Sequence, residues 1–579
     1  MTAPDWWLAD PGGRQQKEFD ALTVGGIGWT IVASDVPGSL FTLDVTVPGP
    51  DGDTAMRAIY PRLFPFFPPR VTAADLDLHH HWERRGGTVC LLAPGGAHWH
   101  PDDTLADLLV RQWPQVLAAN AGDGTDADDV LLETDQAEPW SAYVPTTAGL
   151  VAVVDSAAAP PAAVVHGTAR WTLGRPPALQ MTLLALDDDA GNQFFSTQVQ
   201  QFVPATTVEG PWIRIETPPD EHDAAALWRA AAAVHPEIDR MGWFPVESSV
   251  TGKAASFGQH VQLVLVRVPE EVGRRERGEG WAVLRRTRRS RTARPDLPAA
   301  IKVNYAGRQD LYRRAPVFAA MAEKKVVVVG GGGLGSEVIL GLAKVVPGRL
   351  TFVDGDLMDA ATAVRASGAS RFANLPKVQA LSQMAHETQP YTELRSIALK
   401  VGTADGDGDA AGLYDQLMTA LGEADLVIDC TADIAVQNFL ASTLRAAGKP
   451  YLHAEATKGV WAGLIALYPP GAAVCWGCVQ WYLATPTLAA ALPAEPNADV
   501  RNPGCLEPTY TGAGYDLAAI AAQVVRTAVG YLAAPDGDQG RSGGVVTVAL
   551  RDDKGRETLP QWSAHDLAAH PLCVSHTTP

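Results

Sequence analysis

The chain has 579 residues, too many for one hydrophobic core, so about three domains are expected. Its 65 acidic against 46 basic side chains give a formal net charge of -19, which excludes nucleic acid as a general partner because affinity for that polymer rests on cationic contacts to phosphate. Six cysteines scattered over this length exclude a disulfide scaffold and leave the thiols for chemistry.

The start, MTAPDWW, has no charged-then-apolar leader pattern and no apolar run reaches membrane length, so a cytoplasmic protein with no membrane partner is expected. Between residues 27 and 72 strand-like runs (IGWTIVAS, LFTLDVTVP, TAMRAIYP) alternate with turn residues and predict an antiparallel meander. In FPFFPPRV, residues 64–71, three prolines cannot donate to a ladder, so an irregular edge leads into a loop. His79, His80, His81 and Trp82 follow, then the turn ERRGG, and then TVCLL with Cys90. In HWHPDDTLADLLVRQWPQVLAAN, Asp102 or Asp103 is the expected cap of a helix whose apolar face is Leu105, Leu108, Leu109, Trp113 and Val116. Cys90 reads as a partly exposed nucleophile or as a small buried apolar residue. Three adjacent histidines on a strand cannot all face one metal ion.

The meander, FPxxPP, a histidine ten residues before a cysteine in a CLL context and a tryptophan shortly before the next helix resemble a ubiquitin-conjugating domain, an α+β fold placed here at residues 1–145. The resemblance implies that Cys90 carries a ubiquitin-like protein as a thioester and passes it to a target protein with an acceptor amine. The family's His-Pro-Asn is His80, His81, Trp82 here. Its asparagine, which holds the active-site loop and stabilises the oxyanion, would need a substitute donor such as His81 or His98.

Residues 146–300 offer strands (GLVAVVD, MTLLALDDD, HVQLVLVRVP), an alanine-rich helix (DAAALWRAAAAVHP) and no chemical constellation, which predicts an α+β bridging domain. The arginines from Arg274 to Arg294 and the prolines at 295 and 298 read as a flexible, solvated connection over 273–300.

The last region, 301–579, begins with a helix candidate, DLYRRAPVFAAMAE, and continues into KKVVVVGGGGLGS at 324–336: strand, tight turn, helix start. Such a turn is either a phosphate cradle or only a tight corner of an α/β domain. RLTFVDGD then ends in Asp354 and Asp356, at a distance suited to ribose, with Asp356 also suited to Mg²⁺. Arg365 and Lys377 are cations suited to a polyphosphate, and ADLVIDC ends near Asp429, with Thr431 and Asp433 following.

That order resembles the Rossmann-like adenylating domain of ubiquitin-activating enzymes and their bacterial ThiF and MoeB relatives. The resemblance implies ATP and Mg²⁺, attack on ATP by the C-terminal glycine carboxylate of a ubiquitin-like or other carrier protein, and no nicotinamide. It carries Gly330, Gly332, Gly333 and Gly335 over as phosphate binders, Asp354 to the ribose, and Arg365 and Lys377 to the polyphosphate. Arg314 takes the place of an arginine that reaches into a partner subunit, which implies a homodimer through this domain. Thr362 stands where the family has asparagine, and the acid expected at Ala432 appears one position later, at Asp433.

Cys475 and Cys478 (CWGC) alone read as a redox motif or as no site, but with Cys573 and His576 (C-x-x-H) they form two pairs suited to a structural Zn²⁺, which the family resemblance implies. Cys505, in RNPGCLEPTYTG, is the candidate activating thiol, and Cys430 ends a buried strand. The combined expectation is an α/β multidomain chain in which Cys505 takes the adenylated carrier as a thioester and hands it to Cys90. This arrangement resembles the fused activating and conjugating enzymes of bacterial antiphage (CBASS-type) operons. Two other functions fit the same residues: adenylation of a sulfur carrier in cofactor biosynthesis, and a non-catalytic, nucleotide-gated scaffold.

Overall fold

The computed structural model describes residues 7, 13–32, 41–50, 52–83, 86–92, 98–120, 139–140, 150–173, 179–197, 199, 206–221, 223–245, 260–273, 276–402, 410–500, 509–534 and 544–575. Cys505 and His576 therefore lie outside the described residues. The chain forms two compact units, residues 1–197 with 205–305, and residues 198–204 with 306–579. Among the described residues no helix is long and apolar enough to cross a membrane.

In the first unit the expected meander is present. Gly28–Ile31, Phe41–Val47, Thr54–Tyr60 and Arg70–Thr72 pair in sequence, each antiparallel, and Thr88–Val89 and Trp82–Glu83 complete a six-stranded sheet. The alternating burial of Phe41, Leu43, Val45 and Val47 shows one covered face. Helices Arg14–Val24 and Leu105–Asn120 supply the rest of the core, with Leu22, Leu105, Leu108, Leu109, Trp113 and Val116 buried. The helix cap differs from expectation. Thr104 and Asp107 bond each other's backbone N–H, at 2.9 Å and 3.2 Å, whereas Asp103 turns back to accept from the His100 N–H. Buried Glu18 accepts from the Tyr60 hydroxyl (3.0 Å) and the Leu105 N–H (2.9 Å), tying both helices to the sheet.

Among the described residues, the remainder of this unit is a ten-stranded sheet with one α-helix, Ala224–Val234. One face buries Trp171, Trp212 and Trp281, and the other buries Leu227 and Trp228 of the helix. The basic stretch is no linker. Glu276–Arg288 pairs along nearly its whole length with His260–Gly273 in a long hairpin. Its odd positions, Trp281 and Val283, join one core and its even positions, Ala282 and Leu284, the other, so a both-sides-buried strand hides its period behind the charges. The arginines are absorbed by aromatic faces: Arg286 lies 4.5 Å over Trp228 and Arg288 4.0 Å over Trp243.

The second unit is an α/β layer structure. Its strands are β1 (Lys325–Val329), β2 (Arg349–Val353), β3 (Glu393–Ile397), β4 (Leu426–Asp429), β5 (Tyr451–Ala456), β6 (Ala462–Tyr468), β7 (Val545–Arg551) and β8 (Glu557–His565), in spatial order 3-2-1-4-5-6-7-8. The first five positions are parallel and the last three additions antiparallel. The helices used below are α1 (Gly333–Ala343), α2 (Lys377–Thr388), α3 (Ala410–Glu423), α4 (Ile434–Ala446), α5 (Trp476–Leu483) and α6 (Gly514–Leu532). The chain leaves β1 toward β2 and β3, then returns to lay β4 on β1's other side. Ligands of such sheets bind in the crevice this reversal opens at the strands' carboxyl ends. The run after Arg308–Arg314 is not one helix, because Pro316 ends it and a 3₁₀ turn, Pro316–Met321, follows.

At the tip of the long hairpin, burial raises the Glu270 carboxyl to about 7, against the opposing effect of the Trp140 N–H that it accepts at 2.9 Å. The folded state keeps this proton up to about pH 7, whereas an unfolded glutamate releases it near 4.5, so stability is lost as pH rises through that window. Glu270→Gln should therefore raise Tm at pH 8, with a gain that shrinks toward pH 4.5, as thermal melts across pH would read.

Candidate functional site

The crevice of the second unit is built by four glycines with different surroundings. Gly330 leaves β1 at φ 92°, and a Cβ there would sit 2.8 Å from the Cys430 carbonyl carbon at the end of β4. A Cβ at Gly335 would lie 1.9 Å from the Gly330 carbonyl oxygen, and one at Gly333 would lie 3.0 Å from Leu517 of α6. A Cβ built on Gly332 would meet nothing within 4 Å among the described residues beyond its own turn. Gly330, Gly333 and Gly335 thus allow close packing of the turn, and Gly332 opens the backbone outward. Gly332 is also the N-cap of α1 and brings no side chain to the N–H groups of the first turn. Those donors and the helix dipole make an anion site.

Asp354, just past β2, faces this turn. Its carboxylate accepts from the Gly331 N–H at 2.7 Å and the Asp356 N–H at 2.8 Å. Lys377, first residue of α2, places Nζ 2.8 Å from Asp356 and 3.8 Å from Asp354. Arg365 lies in the loop between β2 and α2, where burial lowers its pKa against the pull of Asp359, and it donates to the Tyr510 carbonyl. The Arg365 backbone carbonyl lies 3.4 Å from a Cβ built on Gly333. Gly330, Gly332, Gly333, Gly335, Asp354, Asp356, Arg365 and Lys377 are thus gathered around one end of the sheet. An open glycine turn, a fixed carboxylate and two cations fit a nucleotide with its phosphates.

The end of β4 divides its acids. Asp429 is fully buried and satisfied by the Thr431 N–H (2.9 Å), the Thr431 hydroxyl (2.7 Å) and the Tyr451 hydroxyl (2.8 Å). Ala432 takes φ 53°, and exposed Asp433 caps α4, with Oδ1 accepting from Ala435 and Val436. Asp433 thus has a local structural task beside any role toward a ligand. Cys430 is buried, and burial pushes its thiol up. Arg314 ends its helix exposed to solvent and has no ion pair with a described residue.

Three of the four expected metal ligands converge. Cys475 Sγ lies 3.8 Å from Cys478 Sγ and 3.5 Å from Cys573 Sγ. Thiolates at about 2.3 Å from one tetrahedral Zn²⁺ would be about 3.8 Å apart, so this donor set fits the ion. The His570 N–H donates to Cys478 Sγ at 3.3 Å. At Cys475, the start of α5, burial raises the thiol but hydrogen bonds from the Cys478 backbone and the neighbouring thiols outweigh it, so its pKa is lowered.

In the first unit Cys90 is half-buried just after Thr88–Val89, and its N–H donates to the His81 carbonyl at 2.8 Å. His81 is buried and takes φ 58°, an uncommon conformation for a side-chain-bearing residue. An asparagine distant in sequence bonds this loop. Asn120, the last residue of Leu105–Asn120, accepts from the His79 and His80 N–H groups at 3.0 Å each and donates to the His80 carbonyl at 3.1 Å. His98 is exposed. Asn120 escaped the sequence reading because it is 40 residues from His80; its only signal is an asparagine at a helix end.

The first five strand positions and the glycine turn at the reversal define a doubly wound nucleotide-binding domain, here extended by three antiparallel strands. Residues 314–535 match the ThiF family and residues 40–152 the Prokaryotic E2 family B. The chain therefore joins a prokaryotic E2 family B domain to a ThiF-type, E1-like activating domain of the adenylyltransferase kind. It is 29% identical to Uncharacterized protein y4oA of Sinorhizobium fredii over 98% of this chain and 97% of that one. It is 26% identical to Molybdopterin-synthase adenylyltransferase of Escherichia coli over 28% of this chain and 60% of that one. A solved structure of E. coli MccB with succinimide overlaps 46% of this chain and 73% of its own, at 16% identity and a TM-score of 0.34.

Gly332→Ala should fold with an unchanged Tm yet lose at least about tenfold in ATP affinity by calorimetry, because the new methyl fills only ligand space. Gly335→Ala should lower Tm by several degrees, since its methyl would meet backbone. Metal analysis should find one zinc per chain, and chelation should lower Tm.

Proposed function

We propose that the chain activates the C-terminal glycine of a ubiquitin-like or other carrier protein and conjugates it to a target amine. The observation that carries this reading is the open, uncapped glycine start of α1 faced by Asp354, Lys377 and Arg365. The carrier's carboxylate oxygen bonds to the α-phosphorus of ATP and pyrophosphate leaves. The Cys505 thiolate then bonds to the acyl carbon and AMP leaves. Cys90 displaces Cys505, and an amine nitrogen finally displaces Cys90, forming an amide. In this scheme the α1 start and Gly332 bind phosphate, Asp354 holds the ribose, and Arg365 and Lys377 balance polyphosphate charge.

Mg²⁺ bound with ATP would neutralise further phosphate charge, with Asp356 and Asp433 as its available acids. A Zn²⁺ on Cys475, Cys478, Cys573 and His576 would staple α5 to the chain's end. Support for Cys505 comes from its flanks: Asp499–Val500 pairs with Thr509–Tyr510, and Arg365 of the nucleotide crevice bonds Tyr510. Exposed Arg314 suits contact with a second copy, giving a homodimer. Two thiols on one chain raise each other's effective concentration. The physiological setting we infer is bacterial antiphage defence in the cytoplasm.

The test is ATP–pyrophosphate exchange with ubiquitin-like carrier proteins that end in glycine, followed by non-reducing gels. Exchange should require carrier and vanish in Asp354→Ala. Thiol-sensitive adducts should appear on both cysteines, with Cys505→Ala leaving Cys90 unloaded. Product formation that survives Cys90→Ala would favour sulfur-carrier adenylation instead, and no exchange with the carrier supplied would leave only a nucleotide-binding scaffold.

A further inference from the structure

The loop 79–81 opposite Cys90 is held from three sides. Its inner side is fixed by Asn120. Its link to Cys90 is the His81 carbonyl, which extends the pairing of Trp82 with Val89 and Glu83 with Thr88 by one step. The third hold comes from the ten-stranded sheet. His80 Nε2 lies 2.9 Å from Glu271 Oε2, and both side chains are only 11% exposed. Glu271 is near the tip of the long hairpin, and its neighbour Glu270 accepts the Trp140 N–H. The ten-stranded sheet thus extends one carboxylate, that of Glu271, to the conjugating-like fold.

We propose that Glu271 is a positioning residue for the Cys90 site, acting through His80. This rests on the reading of Cys90 as an acyl-carrying thiol. A buried ion-paired or hydrogen-bonded ring has one orientation, and His80 is covalently next to the residue whose carbonyl fixes the Cys90 backbone. Loss of Glu271 removes the Nε2 contact from the His80 ring and loosens one hold on the loop. Displacements of about 1 Å suffice to slow a reaction between positioned groups by up to about a hundredfold. The step affected is aminolysis. The amine lone pair forms a C–N bond to the thioester carbonyl, the C–S bond breaks with its electron pair leaving on Cys90 sulfur, and the proton shed by nitrogen passes through solvent to that thiolate.

The test needs neither ATP nor the natural carrier. In the full chain, Cys90 is acylated with the 2-mercaptoethanesulfonate thioester of acetyl-Gly-Gly, located by peptide mapping, and discharged with hydroxylamine in a single turnover followed by intact mass. Glu271→Ala and His80→Ala should each slow discharge about tenfold with Tm values that show a folded protein, and the double variant should be no slower than either single one. Glu271→Gln, which keeps an oxygen for the ring N–H, should recover most of the rate, a rescue that mere loss of packing would not predict. A wild-type rate in Glu271→Ala, or a double variant slowed by the product of the single factors, would overturn the proposal. If the probe leaves Cys90 unacylated in the wild type, the acyl-carrying reading falls first and this inference with it.

Discussion

The second unit depends on one close approach, that of Gly330 to the end of β4. Only a residue without a Cβ, at φ 92°, lets β1 turn into α1 while lying against the Cys430 carbonyl. That contact aligns the ends of β1 and β4, where the strand order reverses. Asp354 fixes the turn from β2 through Gly331, and Asp429, buried and fully bonded, fixes the other wall. A buried acid with all its partners rigidifies the segment it terminates, and exposed Asp433 beyond it caps α4.

Both candidate centres share a local device. Ala432 beside the crevice and His81 opposite Cys90 are side-chain-bearing residues with positive φ. Such conformations persist only where surrounding bonds enforce them, and here those bonds are visible: Thr431 with Asp429 in one case, Asn120 and Cys90 in the other. Each redirects the chain sharply where a regular strand would have carried a side chain away from the site.

In the conjugating-like domain the loop before Cys90 is held by a residue distant in sequence. The sequence His80, His81, Trp82 lacks the asparagine of the resembled family, and the local histidines were the expected replacements. Asn120 performs the loop-holding part from the end of a helix, and Trp82 instead donates its indole N–H to Ala73. The strand Glu276–Arg288 was hidden for another reason: both its faces are buried, so it shows no alternation, and its charged end is covered where Arg286 and Arg288 lie over Trp228 and Trp243.

What the sequence by itself determined was local: the period-2 runs of the meander, the apolar face of Leu105–Asn120, and the strand, glycine turn and helix at 325–343. These follow from backbone geometry that a few neighbouring residues dictate. The grouping of Cys475 and Cys478 with Cys573 was expected from the family resemblance, and the three thiols do converge. Tertiary structure alone decided that Gly332 is the open glycine while Gly333 and Gly335 serve packing, that Asp433 caps α4, and that Asn120 and Glu271 reach the Cys90 loop. Those are contacts between groups far apart in the chain, and no period or propensity encodes which distant side chain the fold will bring near.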